Sequence, residues 1–366
     1  MIILKLMIWL LSVIAWAALA GADSALVCDA GSTGTRIYAF SSTKDDTVEM
    51  TLIGKLTPGL SSFALAQNIS GAVEQLVPII REGFSVLGSV APVHILGTGG
   101  VRSLSEDAQK KLWAELAELL EMNLGKVEIK MHAIHGKDEA FFGLVSANFL
   151  FPGGVGILDL GGSSVEIAHA GDDEVLGSDD DVLVTHANLG TEKVRRLVDT
   201  ACEPGDEKSG FACREKIKQL LSQSEIEKLL HGGSQKFLGI SAFVYSLDFA
   251  SWLLEMRNEN LEFTKQYPQP SVSAIRGACN LICSLPVDTE LFTRHKMTNE
   301  VEAQGRCFDI CYVAELLESF GFSDDDRRVS FVLEIQGKEI EWTLGYYLTH
   351  VQRKSEIPTR LYQEEL

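Results

Sequence analysis

The sequence predicts an α/β protein of two lobes, each opening on a pair of strands joined by a tight hairpin. Two observations carry this. Val27-Cys28-Asp29-Ala30-Gly31-Ser32-Thr33-Gly34-Thr35-Arg36 is an apolar strand that ends in Asp and runs into small residues, and the same chemistry recurs at Ile157-Leu158-Asp159-Leu160-Gly161-Gly162-Ser163-Ser164. Around each copy, short apolar strands alternate with longer helical patterns, and Phe151-Pro152-Gly153-Gly154 marks a lobe boundary before the second copy. The hairpin glycines let backbone N–H groups crowd around an anion, and the hydroxyls of Ser32, Thr33, Ser163 and Ser164 add donors. A phosphate chain held between paired hairpins is what the repetition implies. Asp29 and Asp159, anions themselves, are expected to hold a divalent cation or its waters, and oxygen ligands favour Mg²⁺ or Ca²⁺. The plainer reading, that these residues only shape turns, explains one such loop better than two.

With 366 residues the chain has room for two domains, and 46% hydrophobic against 23% charged residues supplies a core. The net charge of −19 excludes a nucleic-acid surface, so an anionic substrate must be reached locally, through metal and backbone amides. Residues 1–22 read as a secretory signal: Lys5 is the positive start, 7–17 are apolar, and Ala18-Leu19-Ala20 is a small-residue cleavage pattern. An uncleaved anchor is the alternative, but the apolar run is short for a span of ~20 residues. No later segment qualifies, so the mature chain is expected to have no membrane span. Asn68-Ile69-Ser70 is a glycosylation sequon, which places Asn68 at the surface. The terminal Gln363-Glu364-Glu365-Leu366 is similar to the Lys-Asp-Glu-Leu type of retention signal read by a receptor, which favours the endoplasmic reticulum lumen over simple secretion.

The seven cysteines agree with that compartment. Cys279 and Cys283 lie one helical turn apart, as do Cys307 and Cys311, which suits two antiparallel helices joined by nested bridges, Cys279 to Cys311 and Cys283 to Cys307. Cys202 and Cys213 would close a small loop. A zinc site from the last four cysteines is the rival, disfavoured by the secretory context. Cys28 is left over in an apolar strand, as a buried thiol.

In chain order, strands are expected from 25, at 35–41 and at 48–54 with a turn at 44–46, then a helix over 62–87 that contains Pro78. A buried strand at 93–96 runs into Gly97-Thr98-Gly99-Gly100-Val101-Arg102, where amides and the Thr98 hydroxyl can meet a phosphate or a metal water. Arg102 is either a phosphate partner or, the favoured reading, a structural ion-pair former. A helix over 106–122 and a strand at 127–131 follow; His132 and His135, without a nearby third ligand, are read as loop residues. The helix over 136–150 opens with Asp138 and Glu139, either as acidic residues favoured by the dipole or, for Glu139, as a general base beside the phosphate loops. In the second lobe, strands are expected at 155–159, 163–170 and 181–187, with solvated acidic runs at 172–174 and 179–181. Helices are expected at 191–200, 213–230, 241–256, 272–285 and 307–320. Strands at 328–335 and 340–343 close the lobe, and a last helical piece over 345–352 returns to the first.

Together these residues resemble the apyrases, or nucleoside triphosphate diphosphohydrolases. Asp29 to Arg36 looks like the family's first signature, 136–150 the third, Asp159 to Ile167 the fourth and Phe237 to Phe249 the fifth. Cys307-Phe308-Asp309 and Trp342-Thr343-Leu344-Gly345 resemble its C-terminal part. The resemblance implies two ribonuclease H-like lobes of the actin superfold, 23–152 with 345–366 and 153–344, and an active site in the cleft between them. It implies metal-dependent hydrolysis of the terminal phosphate of nucleoside di- or triphosphates, UDP and GDP favoured. Glu139 would activate the water, Ser164 would help to place it, and Asp29 and Asp159 would hold the ion through waters, with Thr98 nearby. Phosphate contacts would come from Gly31, Ser32, Thr33, Gly34, Thr35, Arg36, Gly161, Gly162 and Ser163.

Three departures stand out. Gly97-Thr98-Gly99-Gly100-Val101-Arg102 replaces Ala-Thr-Ala-Gly-Met-Arg, and Ala140 and Leu144 replace the Gly and Trp that follow the base. Glu166 replaces the Gln that orients the water, and a similar Gly-Gly-x-Ser-x-Glu pattern occurs in exopolyphosphatases of the same fold. An exopolyphosphatase-like enzyme and a non-catalytic nucleotide-binding partner protein are therefore the alternatives. Phe243 and Tyr245 are aromatic candidates for the base, with core packing as the competing role.

Overall fold

The structure is a computed structural model and describes residues 23–43, 47–170, 182–224 and 234–352. The signal segment, the 44–46 turn, the acidic runs at 172–174 and 179–181 and the retention-like tail lie outside the described residues. The described chain forms two compact units, 23–133 with 346–352 and 134–345.

The first unit opens with an antiparallel meander of β1 (Ser24–Ala30), β2 (Thr35–Ser42) and β3 (Val48–Leu56). Helix α1 (Ile69–Leu87) leads to β4 (Val93–Gly97), and α2 (Glu106–Leu124) to β5 (Ile129–Ala133). The sheet order is β3-β2-β1-β4-β5, with β4 parallel to β1 and β5 parallel to β4. Leu26, Ile37, Leu76, Ile80, Ile95 and Leu116 form the core between sheet and helices. The helix expected over 62–87 is two, Leu60–Leu65 and α1. The break falls where Gln67 takes a left-handed φ of 53° and Asn68 caps α1, its Oδ1 accepting from the Gly71 amide at 3.1 Å. Asn68 is exposed, as the sequon requires.

The chain re-enters this unit at Tyr346. The Tyr346 hydroxyl lies 2.9 Å from His94 Nδ1, Tyr347 stacks on Phe40 with ring centroids 5.0 Å apart, and the Tyr347 hydroxyl donates to the Asp23 carbonyl. Burial, with the Lys130 cation second, holds the His94 imidazole down at about 4 instead of 6.5. The unfolded chain therefore takes up a proton in a range where the folded one does not, and stability present above pH 6.5 is lost as pH falls towards 4. The thermal midpoint is expected to drop across that window, and to drop less in His94→Gln. Equal slopes in the two proteins would remove His94 as a cause of acid lability.

The second unit begins with α3 (Gly136–Leu150), followed by β6 (Gly156–Leu160), β7 (Val165–Ala170) and β8 (Val182–Ala187). Then come α4 (Thr191–Val198), α5 (Ser209–Leu221), β9 (Phe237–Ser241), α6 (Ala242–Met256), α7 (Val272–Ser284), α8 (Glu300–Phe320) and β10 (Val329–Phe331). The sheet order is β10-β9-β6-β7-β8, with β7 antiparallel to β6 and to β8, and β9 parallel to β6 and to β10. Read outward from the hairpin strand, this repeats the order and the directions of the first sheet.

Four expectations change here. Strand β9, the counterpart of β4, was not expected, because Phe237-Leu238-Gly239-Ile240 is a short apolar run interrupted by Gly. The strand expected at 340–343 is instead the entry to the helix Trp342–Tyr346. Four alternating residues are too few to set their own conformation, and Trp342, Thr343 and Leu344 are buried in succession, which a one-sided strand would not allow. Helix α8 starts well before 307, at an Asn299–Glu302 capping box. Helix α3 packs across β6, β7 and β8 and so belongs to the second unit, where the sequence alone put it in the first.

All three expected bridges are present: Cys202–Cys213, Cys279–Cys311 and Cys283–Cys307. The last two lace α7 to α8, which leaves these cysteines unavailable for zinc. Cys28 is a buried thiol that burial keeps protonated. Among the described residues no helix is long and apolar enough to cross a membrane.

Candidate active site

In the first unit the hairpin 31–34 links β1 to β2. Asp29, the penultimate residue of β1, is buried and stands opposite Arg36 in the register, with Arg36 Nη1 3.6 Å from Asp29 Oδ2. Thr98, at the end of β4, donates its hydroxyl to Asp29 Oδ1 at 3.5 Å and its amide to the Ala30 carbonyl at 3.2 Å. The short helix Gly99–Arg102 then presses on the hairpin: a Cβ added at Gly100 would lie 2.6 Å from Ser32 Cα, so this position admits only glycine. Gly31 and Ser32 are half-buried and Thr33 is exposed. Thr35 differs from expectation. Its side chain is fully buried, on the strand face that Ile37 and Ala39 turn to the core, and its hydroxyl has no hydrogen-bond partner among the described residues.

In the second unit the hairpin 161–164 is closed by the Gly161 amide donating to the Ser164 carbonyl at 2.9 Å. The register aligns Asp159 on β6, Glu166 on β7 and His186 on β8 in one row. The corresponding row of the first unit is Asp29, Arg36 and Lys55. The two half-sites thus differ in charge: cations neighbour Asp29, whereas Asp159 stands beside a second carboxylate. Glu166 is 2% exposed, and His186 Nε2 lies 3.7 Å from its Oε1. At that distance the imidazole forms an ion pair with the carboxylate only in its protonated form. His186 was missed in the sequence because only the strand register reveals it. Its ring lies against Gly136, the first residue of α3, which carries Glu139, buried, in its first turn. The helix N-terminus favours a carboxylate there.

Glu139, Asp159, Gly161, Gly162, Ser163, Ser164 and Glu166 therefore belong to the second unit, and Asp29, Gly31 to Arg36 and Thr98 to the first. Phe243 is wholly buried in the core, 6.2 Å from Phe331 between ring centroids, and Tyr245 is half-buried on α6. His132 and His135 are exposed. Among the described residues, the trios of ligand-type side chains close enough to hold an ion directly are all cysteines of the bridges. The donors at the hairpins are hard oxygens, and the Asp159–Glu166 pair is an arrangement of like charges that a divalent cation relieves. These residues fit Mg²⁺ or Ca²⁺ held through its waters.

A family model described as GDA1/CD39 (nucleoside phosphatase) matches residues 22–182 and 186–362. A nucleoside-triphosphatase of Pisum sativum is 32% identical over 167 residues, covering 40% of this chain and 36% of that relative, so the match spans about a third of its length. The human ectonucleoside triphosphate diphosphohydrolase 6 is 23% identical over 380 residues, covering 90% of this chain and 78% of the relative. Among solved structures, a Ppx/GppA family member of Aquifex aeolicus superposes with a TM-score of 0.62 at 15% identity, over 91% of this chain and 100% of that one, which shows a shared fold.

Proposed function

The chain belongs to the GDA1/CD39 (nucleoside phosphatase) family, and on that premise we propose that it hydrolyses the terminal phosphate of nucleoside di- or triphosphates, UDP and GDP favoured, in a divalent-metal-dependent reaction. The observation that carries the reading is the recurrence, in two sheets of identical strand order, of a strand bearing Asp that turns into a hairpin of Gly, Ser and Thr. In this reading the amides and hydroxyls at Gly31, Ser32, Thr33, Gly34, Gly162 and Ser163 bind phosphate oxygens, while the Gly161 amide closes its hairpin on the Ser164 carbonyl. Arg36 and Thr98 orient Asp29, and Thr35 supports the hairpin from the core. Glu139 takes a proton from the attacking water, which Ser164 helps to place. The bound Mg²⁺ or Ca²⁺, held through waters by Asp29 and Asp159, would supply neutralisation of the charge developing on the phosphate. The lumen of the secretory pathway, the endoplasmic reticulum favoured, suits a chain with three disulfides.

The test is phosphate release by purified protein from UDP, GDP, ADP, ATP and polyphosphate, with Mg²⁺, Ca²⁺ or a chelator. Release from nucleotides that the chelator stops is the expected result. Turnover of polyphosphate alone would instead favour the exopolyphosphatase reading that Glu166 keeps alive, and nucleotide binding without turnover would favour a partner protein. Glu166→Gln is expected to keep or raise nucleotide turnover, because it removes a negative charge near the phosphate and leaves His186 an amide to bond. A collapse would give Glu166 a catalytic or metal role of its own.

A further inference from the structure

Helix α4 begins directly behind the second hairpin, and its first turn is bonded to the hairpin backbone. The Thr191 amide donates to the Gly161 carbonyl at 3.0 Å, and the Glu192 amide to the Gly162 carbonyl at 3.0 Å. A trans peptide is planar, with C=O and N–H on opposite edges. The two peptide groups whose oxygens face α4 therefore carry the N–H groups of Gly162 and Ser163 on the side away from it. Those are the amides that the hairpin offers to an anion, so their aim depends on where α4 starts.

Helix α8 sets that start. The Tyr312 hydroxyl, wholly buried, donates to the Leu189 carbonyl, one residue before Gly190. Gly190 approaches the hairpin so closely that an added Cβ would lie 2.3 Å from both Gly162 C and Ser163 N. Further along α4, Arg195 pairs with Asp309 and sits over the Phe308 ring, 5.5 Å from its centroid, and Phe308 stacks on Tyr312 at 5.3 Å. Helix α4 is thus clamped to α8 at two points, through Leu189 just before its first residue and through Arg195 in its second turn. Tyr312 adjoins Cys311, and both nested bridges hold α8 against α7, so the clamp stands on a braced helix. A sequence pattern gives no sign of this, since Leu189 and Tyr312 meet only through the fold.

We propose that Tyr312 is a positioning residue for phosphate hydrolysis: its hydroxyl, acting through Leu189 and Gly190, keeps the amides of Gly162 and Ser163 aimed at a phosphate oxygen. The proposal rests on the hydrolase reading given above. Tyr312 never touches substrate. Loss of its hydroxyl leaves the buried Leu189 carbonyl without its donor and frees the turn that carries Gly190 to shift, and a small misplacement of anion donors costs turnover more than ground-state binding.

Tyr312→Phe in the full chain removes one oxygen and nothing else. Two readouts are taken together: hydrogen exchange at the amides of Gly161, Thr191 and Glu192, and steady-state hydrolysis of UDP. Exchange at these amides is expected to quicken by about tenfold, and kcat to fall by roughly tenfold to a hundredfold with KM within about twofold. Unchanged exchange overturns the proposal, as does faster exchange with unchanged kcat. Thr191→Val, which removes the side-chain donor 3.4 Å from the Gly161 carbonyl without touching α8, is expected to give a smaller loss with the same split between kcat and KM. A lower thermal midpoint with unaltered kcat in both variants would mean that these contacts are structural only. If the wild type hydrolyses no nucleotide, the functional reading fails by itself. The exchange result then decides alone, supporting the clamp if it quickens and overturning it if it does not.

Discussion

Glu139→Gln is expected to lower kcat for nucleotide hydrolysis by about 10²- to 10⁴-fold, the range a positioned general base supplies, while nucleotide affinity stays near that of the wild type. The change removes a basic oxygen but almost no volume. Glu139 is buried in the first turn of α3, where the helix N-terminus favours a negative charge, a dipole interaction of ~0.3–1 kcal/mol that the neutral amide forfeits. Thermal unfolding of the variant beside its rates separates an effect on chemistry from one on stability. Initial rates with UDP and GDP, beside calorimetric titration of the same nucleotides, check both halves. Turnover within tenfold of wild type would place the base elsewhere. Loss of binding together with turnover would make Glu139 a holder of the nucleotide or its ion.

Opening one rung of the α7–α8 ladder with the double change Cys283→Ala, Cys307→Ala is expected to cost about 2–5 kcal/mol of stability. The bridge joins residues 24 apart in sequence, and both cysteines are buried in the core of the second unit. Its loss returns conformational freedom to the unfolded chain and leaves two small cavities in the folded one, and both effects have the same sign. Denaturant unfolding of the oxidised wild type and the variant measures the difference. A change below about 1 kcal/mol would mean that the packing of α7 on α8 already supplies the constraint. Because α8 carries Tyr312 and Asp309, the two contacts that clamp α4, the same variant is expected to lose kcat before it unfolds.

Much of the candidate site was legible because its residues are local. Asp29 and Asp159 each sit in a strand that turns at Gly and Ser, and those residue types lie next to one another in the chain, so hairpin and anion donors are read together. The nested bridges were legible for a similar reason: cysteines one helical turn apart on two segments admit a paired ladder. Glu139 could be singled out, but the unit it belongs to could not, because the packing of α3 on β6, β7 and β8 is a matter of contact and not of pattern. Strand β9 is too short to be legible, and Thr35 faces the core although it adjoins the small residues of the first hairpin.

By itself, the sequence determined that there are two related hairpins, that each carries an Asp and a set of small donors, and which cysteines can pair. These depend on residue types within a few positions of one another, where backbone geometry leaves little choice. Only the tertiary structure decided what stands beside each Asp and what holds each hairpin in place. Arg36 and Thr98 accompany Asp29, while Glu166 with its partner His186 neighbours Asp159, and the second hairpin leans on Gly190 under the control of Tyr312. These contacts join residues up to 123 positions apart. They are set by strand register and helix packing, which depend on how whole cores fill and not on any short run of residues.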